Sequence, residues 1–225
     1  MEPKGAAGRL QAAARELQIE LPTPQQRQLL HFLAMLQRWN AVYNLTAVRD
    51  PTQMERLHLF DCLAIVGPLR REVRPFAGRR LLDVGSGAGL PGAVLAILEP
   101  ELHVVCVDAV SKKAAFIRQV AAELGLSNLE ARHARVEGLE EPLFDVIVAR
   151  AFGTLTLFVN RTRPLLGSHG IWAAMKGRRP TGELDVLPRD VQVFHVEPLS
   201  VPDLEAERTL VWLRPLPAAD ATAVP

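Results

Sequence analysis

Asp83, Gly85, Gly87, Gly89 and Asp108 stand at the spacing with the clearest chemical meaning in this sequence. Leu81-Leu82-Asp83-Val84 is an apolar run of strand type, and it stops in the glycine cluster Gly85-Ser86-Gly87-Ala88-Gly89-Leu90-Pro91-Gly92. An apolar helical stretch, Ala93 to Leu98, follows. Nineteen residues past Gly89, a second apolar run, Val104-Val105-Cys106-Val107, ends in Asp108. Strand, glycine turn, helix, strand and terminal acid describe a nucleotide-binding βαβ unit. Glycines let backbone N–H groups approach a ligand that a Cβ would hit. A carboxylate at the tip of the second strand can accept hydrogen bonds from both hydroxyls of a ribose. The pattern predicts a cofactor that contains adenosine.

Two cofactor classes compete at this motif. Gly87-x-Gly89-x-x-Gly92 satisfies the dinucleotide fingerprint, which on its own is a weak signal. The fuller run Asp83-Val84-Gly85-x-Gly87-x-Gly89 resembles the first motif of class I S-adenosylmethionine methyltransferases, with its acid on the first strand and its glycines crowded behind. That resemblance implies S-adenosylmethionine. A nicotinamide- or flavin-dependent enzyme is the competing reading, and a ligand-free glycine turn would leave Asp108 a coincidence.

The elements around the motif also favour a methyltransferase. From residue 79 onward, strand and helix patterns alternate: Arg80–Val84, 90–98, 103–107, 111–124, 128–132, 144–149, 155–166, 171–176, 191–197 and 209–214. This rhythm predicts an α/β fold, a mostly parallel sheet with helices on both faces. The last two runs have no helical stretch between them, so they form a closing antiparallel hairpin, usual in methyltransferases and not in the dinucleotide fold. Before residue 68 the pattern is helical, with Leu29, Leu33 and Leu36 on one stripe broadened by Leu30, Phe32 and Trp39. Thr23-Pro24 reads as the cap and first turn of that helix. A loop around Tyr43-Asn44-Leu45-Thr46 and Asp50-Pro51 leads to a second helix over about 52–66. The expected organisation is a helical segment (1–68), a linker (69–78, entered through Gly67-Pro68), a methyltransferase domain (79–215) and a disordered Ala/Pro-rich tail (216–225).

Bulk properties narrow the class. The 225 residues are enough for a sizeable core. No apolar run approaches the roughly 18 residues of a membrane span, and the N-terminus has no basic stretch followed by an apolar one. Cys62 and Cys106 fall on buried faces of different elements and read as free thiols, not as a disulfide or a metal pair; no metal site is expected. A cytoplasmic protein is the expectation, and the short exposed elements suit a monomer. A net charge of +1 does not announce a nucleic-acid binder. The charge is uneven, however: Arg70, Arg71, Arg74, Arg79 and Arg80 crowd the approach to the first strand, and Lys176, Arg178 and Arg179 form a second knot. Each knot reads either as solvated surface or as a phosphate site.

Several separate motifs then resemble one family, the bacterial small-subunit (16S) ribosomal RNA guanine-N7 methyltransferases, also called glucose-inhibited division protein B. They are Arg38-Trp39-Asn40-x-x-Tyr43-Asn44-Leu45-Thr46-Ala47, His58-x-x-Asp61, the glycine run, Lys112-Lys113 with Phe116, Arg135-Val136-Glu137, Ala149-Arg150-Ala151 and Met175-Lys176-Gly177. The likeness runs in order from about Trp39 to Trp212. There are two departures. Cys62 stands where the family usually has serine, and the basic Tyr-Pro-Arg tail of many members is missing, so no RNA contact of that kind is expected.

The resemblance implies that Gly85 and Leu90 line the cofactor, with Gly87 and Gly89 giving access to its methionine part. Asp108 would take the ribose, Val136 and Glu137 would flank the adenine, and Arg150 would contact the cofactor. Arg150 also reads as a structural ion pair, although strand tips are where such folds place ligands. His58 and Asp61, three apart, share a helix face; they either close the site or form a buried pair fixing the helical region to the sheet. Asn44 and Thr46 read equally as a turn and a helix cap. Lys176, Arg178 and Arg179 are candidates for RNA phosphates, and the helical segment is expected to face the RNA. The expected partner is 16S ribosomal RNA or the small ribosomal subunit.

The absent motifs agree with attack by guanine N7. The loop that serves amino-group methylation would follow the fourth strand, where this chain reads Ala149-Arg150-Ala151-Phe152. Neither cysteine has the context of a nucleophile for C5 methylation. N7 carries an in-plane lone pair and no proton, so proximity and alignment can supply most of the acceleration, about 7–11 kcal/mol at best. A small-molecule methyltransferase, an oxidoreductase and, more distantly, an RNA-binding protein with a vestigial pocket remain alternatives.

Overall fold

The computed structural model describes residues 5–216. The expected disordered tail (216–225) lies outside the described residues from 217 on, and so do the first four residues of the N-terminal stretch. Helices α1 (Ala6–Glu16) and α2 (Thr23–Tyr43) come first. A nearly continuous helical rod follows, composed of α3 (Pro51–Met54), a π-helical turn (Glu55–Phe60) and α4 (Asp61–Leu63). Helix α5 (Val66–Val73) leads into the sheet.

The sheet has seven strands in the order β3-β2-β1-β4-β5-β7-β6. They are β1 (Arg80–Val84), β2 (His103–Asp108), β3 (Leu129–His133), β4 (Phe144–Arg150), β5 (Leu166–Lys176), β6 (Val191–Pro198) and β7 (Thr209–Pro215). The first five pair in parallel, and β7 runs antiparallel to both β5 and β6, closing the expected hairpin. Helices α6 (Gly92–Leu98), α7 (Ser111–Glu123) and α8 (Leu155–Thr162) make the crossovers, and the short α9 (Thr181–Leu184) follows β5. This is the fold of the class I S-adenosylmethionine methyltransferases.

Alternation along the strands sorts the core onto two faces. Leu81, Val104, Val148 and Trp212 face one side, where they share a continuous core with α1, α2, the rod, α6 and α7. Leu82, Val84, Ile147 and Trp172 face the other, covered by α8. The N-terminal helices thus pack onto the layer made by α6 and α7 and carry the rod to the C-terminal edge of the strands. Among the described residues no helix is long and apolar enough to cross a membrane. Cys62 and Cys106 are buried free thiols.

Three local expectations are corrected. Thr23 is the first helical residue of α2, and its side chain caps nothing; Pro22 holds the cap position. Gly67-Pro68, read as the entry to a linker, lie in the first turn of α5, where a proline gives up no hydrogen bond. The non-helical passage is therefore only 74–79. Strand β5 begins five residues early, because Gly167 and Gly170 lie against the Phe144 carbonyl where a Cβ would crowd it. The arginines at the approach to β1 are all paired with acids. Arg70 and Arg74 pair with Glu99, Arg71 with Glu72 and Glu197, Arg79 with Asp145 and Arg80 with Glu141.

Candidate active site

The strand order reverses between β1 and β4, so the crossovers diverge there and open a crevice at the carboxyl ends of the strands. The glycine turn after β1 forms its floor. Gly85 and Gly87 both adopt positive φ, +64° and +58°. A Cβ on Gly85 would lie 2.9 Å from the Phe152 ring, whereas the space over Gly87 is open for at least 4 Å.

Asp83 anchors the turn from beneath. Its Oδ2 accepts the Gly92 N–H at 2.8 Å, at the start of α6. Complete burial pushes the Asp83 carboxyl up to about 7, against the opposing pull of the Gly92 N–H and of Arg150. Gly92 is required by close approach: a Cβ there would collide with Cys106 Sγ and lie 2.9 Å from Asp83 Oδ2. Gly92→Ala should therefore cost about 1–3 kcal/mol of overpacking. For a chain of this size that lowers the melting temperature by about 3–10 °C. An unchanged thermal transition by circular dichroism would contradict this packing.

Asp108 closes the turn from the side. Its Oδ2 accepts the Gly87 N–H at 2.9 Å, and its Oδ1 accepts the Val110 N–H at 2.8 Å. Lys113 Nζ stands 3.6 Å from Oδ2. Each carboxylate oxygen keeps one acceptor direction in reserve. The same carboxylate that shapes the turn is thus available to a pair of ribose hydroxyls.

Two adjoining cavities share Gly85. The smaller, about 160 Å³, is lined by Val107, Asp108, Ala134, Val136, Glu137 and Phe152. Its mostly apolar walls, with an acid at one end, suit a flat heteroaromatic ring joined to a ribose. Glu137 is ion-paired to Arg161 at 2.9 Å. The larger, about 590 Å³, brings together Gly85, Gly87, Leu90, His58, Asp61, Arg150 and Lys176. Of the expected cofactor residues, Gly89 lines neither cavity. A Cβ on it would lie 3.2 Å from Ala93 and from Ile117, so on that side it packs the glycine turn against α6 and α7.

The wall of the larger cavity is electrostatically organised. Asp61 and His58 are not bonded to each other. Asp61 instead accepts Arg150 Nη1 at 3.0 Å on one oxygen and Arg208 Nε at 2.7 Å on the other. The π-helical turn directs the Leu57 carbonyl to Arg150 as well, at 2.9 Å. Such turns are frequent at functional sites. Ala151, next to Arg150, is held at a positive φ of +59° at the end of the strand. Arg208, just ahead of β7, is a residue sequence reasoning missed. It lies 147 positions from its partner, and no local pattern marks it.

His58 meets Thr46 Oγ1 through Nε2 at 2.8 Å. Asn44 adopts the left-handed conformation at the end of α2, and the Asn40 side chain ties down the loop by accepting the Thr46 N–H. Thr46 is thus a cavity residue and no helix cap; Asp50 caps α3, accepting the Gln53 N–H. Burial and then the Arg150 charge push the His58 imidazole down to about 4 from an ordinary 6.5. The unfolded chain therefore takes up this proton first as pH falls. His58's contribution to stability is complete above pH 6.5 and is lost between 6.5 and about 4. Asp83, raised from 3.8 to about 7, works with the opposite sign over much of this window, so only a variant isolates the histidine. His58→Gln should lose less stability between pH 7 and pH 5 than the unaltered protein. Urea unfolding at both values measures this, and equal losses would contradict it.

Residues 25–211 match the family model described as rRNA small subunit methyltransferase G. The chain belongs to that family. Ribosomal RNA small subunit methyltransferase G of Methylibium petroleiphilum is 56% identical over 212 residues, covering 94% of this chain and 96% of that protein. The protein of the same name from Leptothrix cholodnii is likewise 56% identical over 212 residues, covering 94% and 97%. Among solved structures, TrmN from Thermus thermophilus superposes with a TM-score of 0.55 at 24% identity, over 68% of this chain and 48% of that one. A mutant of MtNAS in complex with S-adenosylmethionine gives 0.55 at 16% identity, over 86% and 72%. At these identities the likeness is one of fold.

In this methyltransferase G family member, the second basic knot divides. Lys176 Nζ donates to the Gly153 carbonyl at 2.7 Å and pairs with Glu183 at 2.8 Å, so its charge is already neutralised and its reach fixed. The expected phosphate contact at Lys176 thus has a competitor, the acid that α9 supplies seven residues away. Arg178 and Arg179 remain exposed on the loop beside it.

Proposed function

We propose that this chain transfers the methyl group of S-adenosylmethionine to N7 of a guanosine in 16S ribosomal RNA, acting in the cytoplasm as a monomer on the RNA or the small subunit. The observation that carries the reading is the pairing of family membership over residues 25–211 with two joined cavities at the glycine turn. The residues fit the cofactor. The open space over Gly87 and the spare acceptor directions of Asp108 suit its backbone and ribose, and Val136, Glu137 and Phe152 suit its adenine. Bound there, S-adenosylmethionine supplies an electrophilic methyl group on a sulfonium.

The chain's own part is binding and alignment. Leu90, Gly85 and Gly87 form the floor on which the cofactor lies, and Arg150, held by Asp61 and the Leu57 carbonyl, forms the facing wall. No side chain of the cavity is set up as a strong base. Both Asp61 oxygens are taken by arginines, Glu183 holds Lys176, and His58 is a weakly basic imidazole. Burial raises both thiols, so neither Cys62 nor Cys106 is a nucleophile. A nucleophile with a ready lone pair and no proton to lose is what such a site can use, and guanine N7 is one.

Arg178 and Arg179 stand on the rim as contacts for RNA phosphates. Exchanging both for alanine should weaken binding to small-subunit RNA and reduce its salt dependence by about one power of salt concentration for each phosphate no longer engaged. Filter binding at several salt concentrations measures this. A double variant with the affinity and salt slope of the unaltered protein would move the phosphate contacts elsewhere.

A further inference from the structure

We propose that Tyr43, flanked by Arg49 and Lys112, is a stacking platform that holds an unpaired base of the RNA beside the target guanosine. The inference rests on the function proposed above and names a surface for its substrate. Tyr43 is the chain's one tyrosine, and it is 47% exposed at the end of α2. Its ring is not loose. It lies 5.0 Å from the Trp39 ring, which packs edge-on against Phe116 at 5.4 Å; Phe116 is buried and lies 6.2 Å from Phe32. An aromatic column thus runs from the core to the surface and leaves its last ring uncovered.

Two exposed cations are fastened to the same turn as Tyr43. Lys112 Nζ donates to the Tyr43 carbonyl at 2.6 Å, and Arg49 Nη2 donates to Asn44 Oδ1 at 2.9 Å. Among the described residues neither cation is paired with a carboxylate, in contrast to all five arginines before β1. The location links this rim to the site. Leu45 and Thr46, directly after Asn44, line the larger cavity, and Lys113, next to Lys112, approaches the Asp108 carboxylate. Arg178 and Arg179 adjoin the same cavity through Lys176 and Gly177. A half-exposed aromatic ring on a turn that also carries cations without carboxylate partners is the arrangement that binds single-stranded nucleic acid. The ring stacks a base and the cations track the backbone. An apolar protein partner would use the ring but has no need of the charges.

The test is equilibrium binding of a short fluorescent single-stranded oligoribonucleotide to the full chain and to Tyr43→Ala, Tyr43→Phe, Tyr43→Leu and Arg49→Ala. It is accompanied by the KM for small subunits in methyl transfer and by calorimetric affinity for S-adenosylmethionine. Tyr43→Ala and Tyr43→Leu should each bind RNA about tenfold more weakly, and Tyr43→Phe within about twofold of the unaltered protein. Arg49→Ala should flatten the salt dependence by about 0.7 for each phosphate no longer engaged. Cofactor affinity should stay unchanged throughout. Oligonucleotide affinity and subunit KM unaltered in Tyr43→Ala, with methyl transfer intact, would overturn the platform and leave the proposed function standing. Binding retained in Tyr43→Leu would overturn it in favour of an apolar protein contact. Should the unaltered protein fail to methylate subunits while Tyr43→Ala still loses oligonucleotide affinity, the platform stands and the function fails.

Discussion

Asp108→Ala should raise the Kd for S-adenosylmethionine by about 10²–10⁴. In the proposed site the carboxylate would serve two ribose hydroxyls, and a hydrogen bond to a charged group contributes about 1.5–3 kcal/mol. Two of them amount to about 3–6 kcal/mol, which converts to that range. The loss has a second source in the structure itself. Asp108 also accepts the Gly87 and Val110 N–H groups, so its removal unfastens the turn that floors the proposed cofactor site. Two backbone donors are left without their acceptor, and the fold should weaken by about 1–3 kcal/mol, leaving the protein folded and the site slack. Asp108→Asn keeps the shape and one acceptor and should fall between the two. Titration calorimetry reads these affinities. A Kd in Asp108→Ala within threefold of the unaltered protein would remove Asp108 from the ribose site.

Asp61→Ala should cost stability and turnover together. Removing one member of a buried ion pair costs about 3–5 kcal/mol, because the remaining charge is left uncompensated. Here the partners, Arg150 and Arg208, keep about a fifth of their side-chain surface in solvent, and a value discounted to about 2–3 kcal/mol is expected. The effect on methyl transfer should be at least as large, a loss of about 10² or more, since the carboxylate holds two guanidiniums in the cavity wall and ties the helical rod to β4. Asp61→Asn can accept from one arginine only and should recover part of each loss. Thermal unfolding and single-turnover transfer separate the contributions. A variant with a lowered melting temperature and a normal transfer rate would make Asp61 a structural residue alone.

The part of the molecule that could be read from sequence is the part encoded locally. The βαβ unit is written in neighbouring residues, since the apolar strand, the positive-φ glycines and the terminal acid all lie within 83–108. The strand boundaries fell close for the same reason, alternation being a property of adjacent positions. The hairpin of β6 and β7 was legible from a missing helix. Contacts between distant segments were not legible. Asp61 finds Arg150 and Arg208 across 89 and 147 positions, and nothing near any of the three announces it. The ion pair of Lys176 was not legible because a positive charge in sequence says nothing of the acid that folding brings to it; Glu183 sits on a four-residue helix too short to leave a periodic pattern. Gly67-Pro68 misled in another way. The pair breaks a helix in its interior but is tolerated in a first turn, and composition alone does not say which applies. The motif marks Gly89 for its backbone access, and nothing in it announces the close packing against Ala93 and Ile117.

Transfer of labelled methyl from S-adenosylmethionine to small ribosomal subunits, taken from a strain lacking this protein, tests the assigned reaction most directly. The modified positions would be mapped by chemical cleavage at N7-methylguanosine, with Asp108→Ala as the control. A single new cleavage site, absent in the control, is the predicted result. No transfer to subunits or to their free RNA, alongside tight binding of S-adenosylmethionine, would contradict the assignment and point to a small-molecule acceptor.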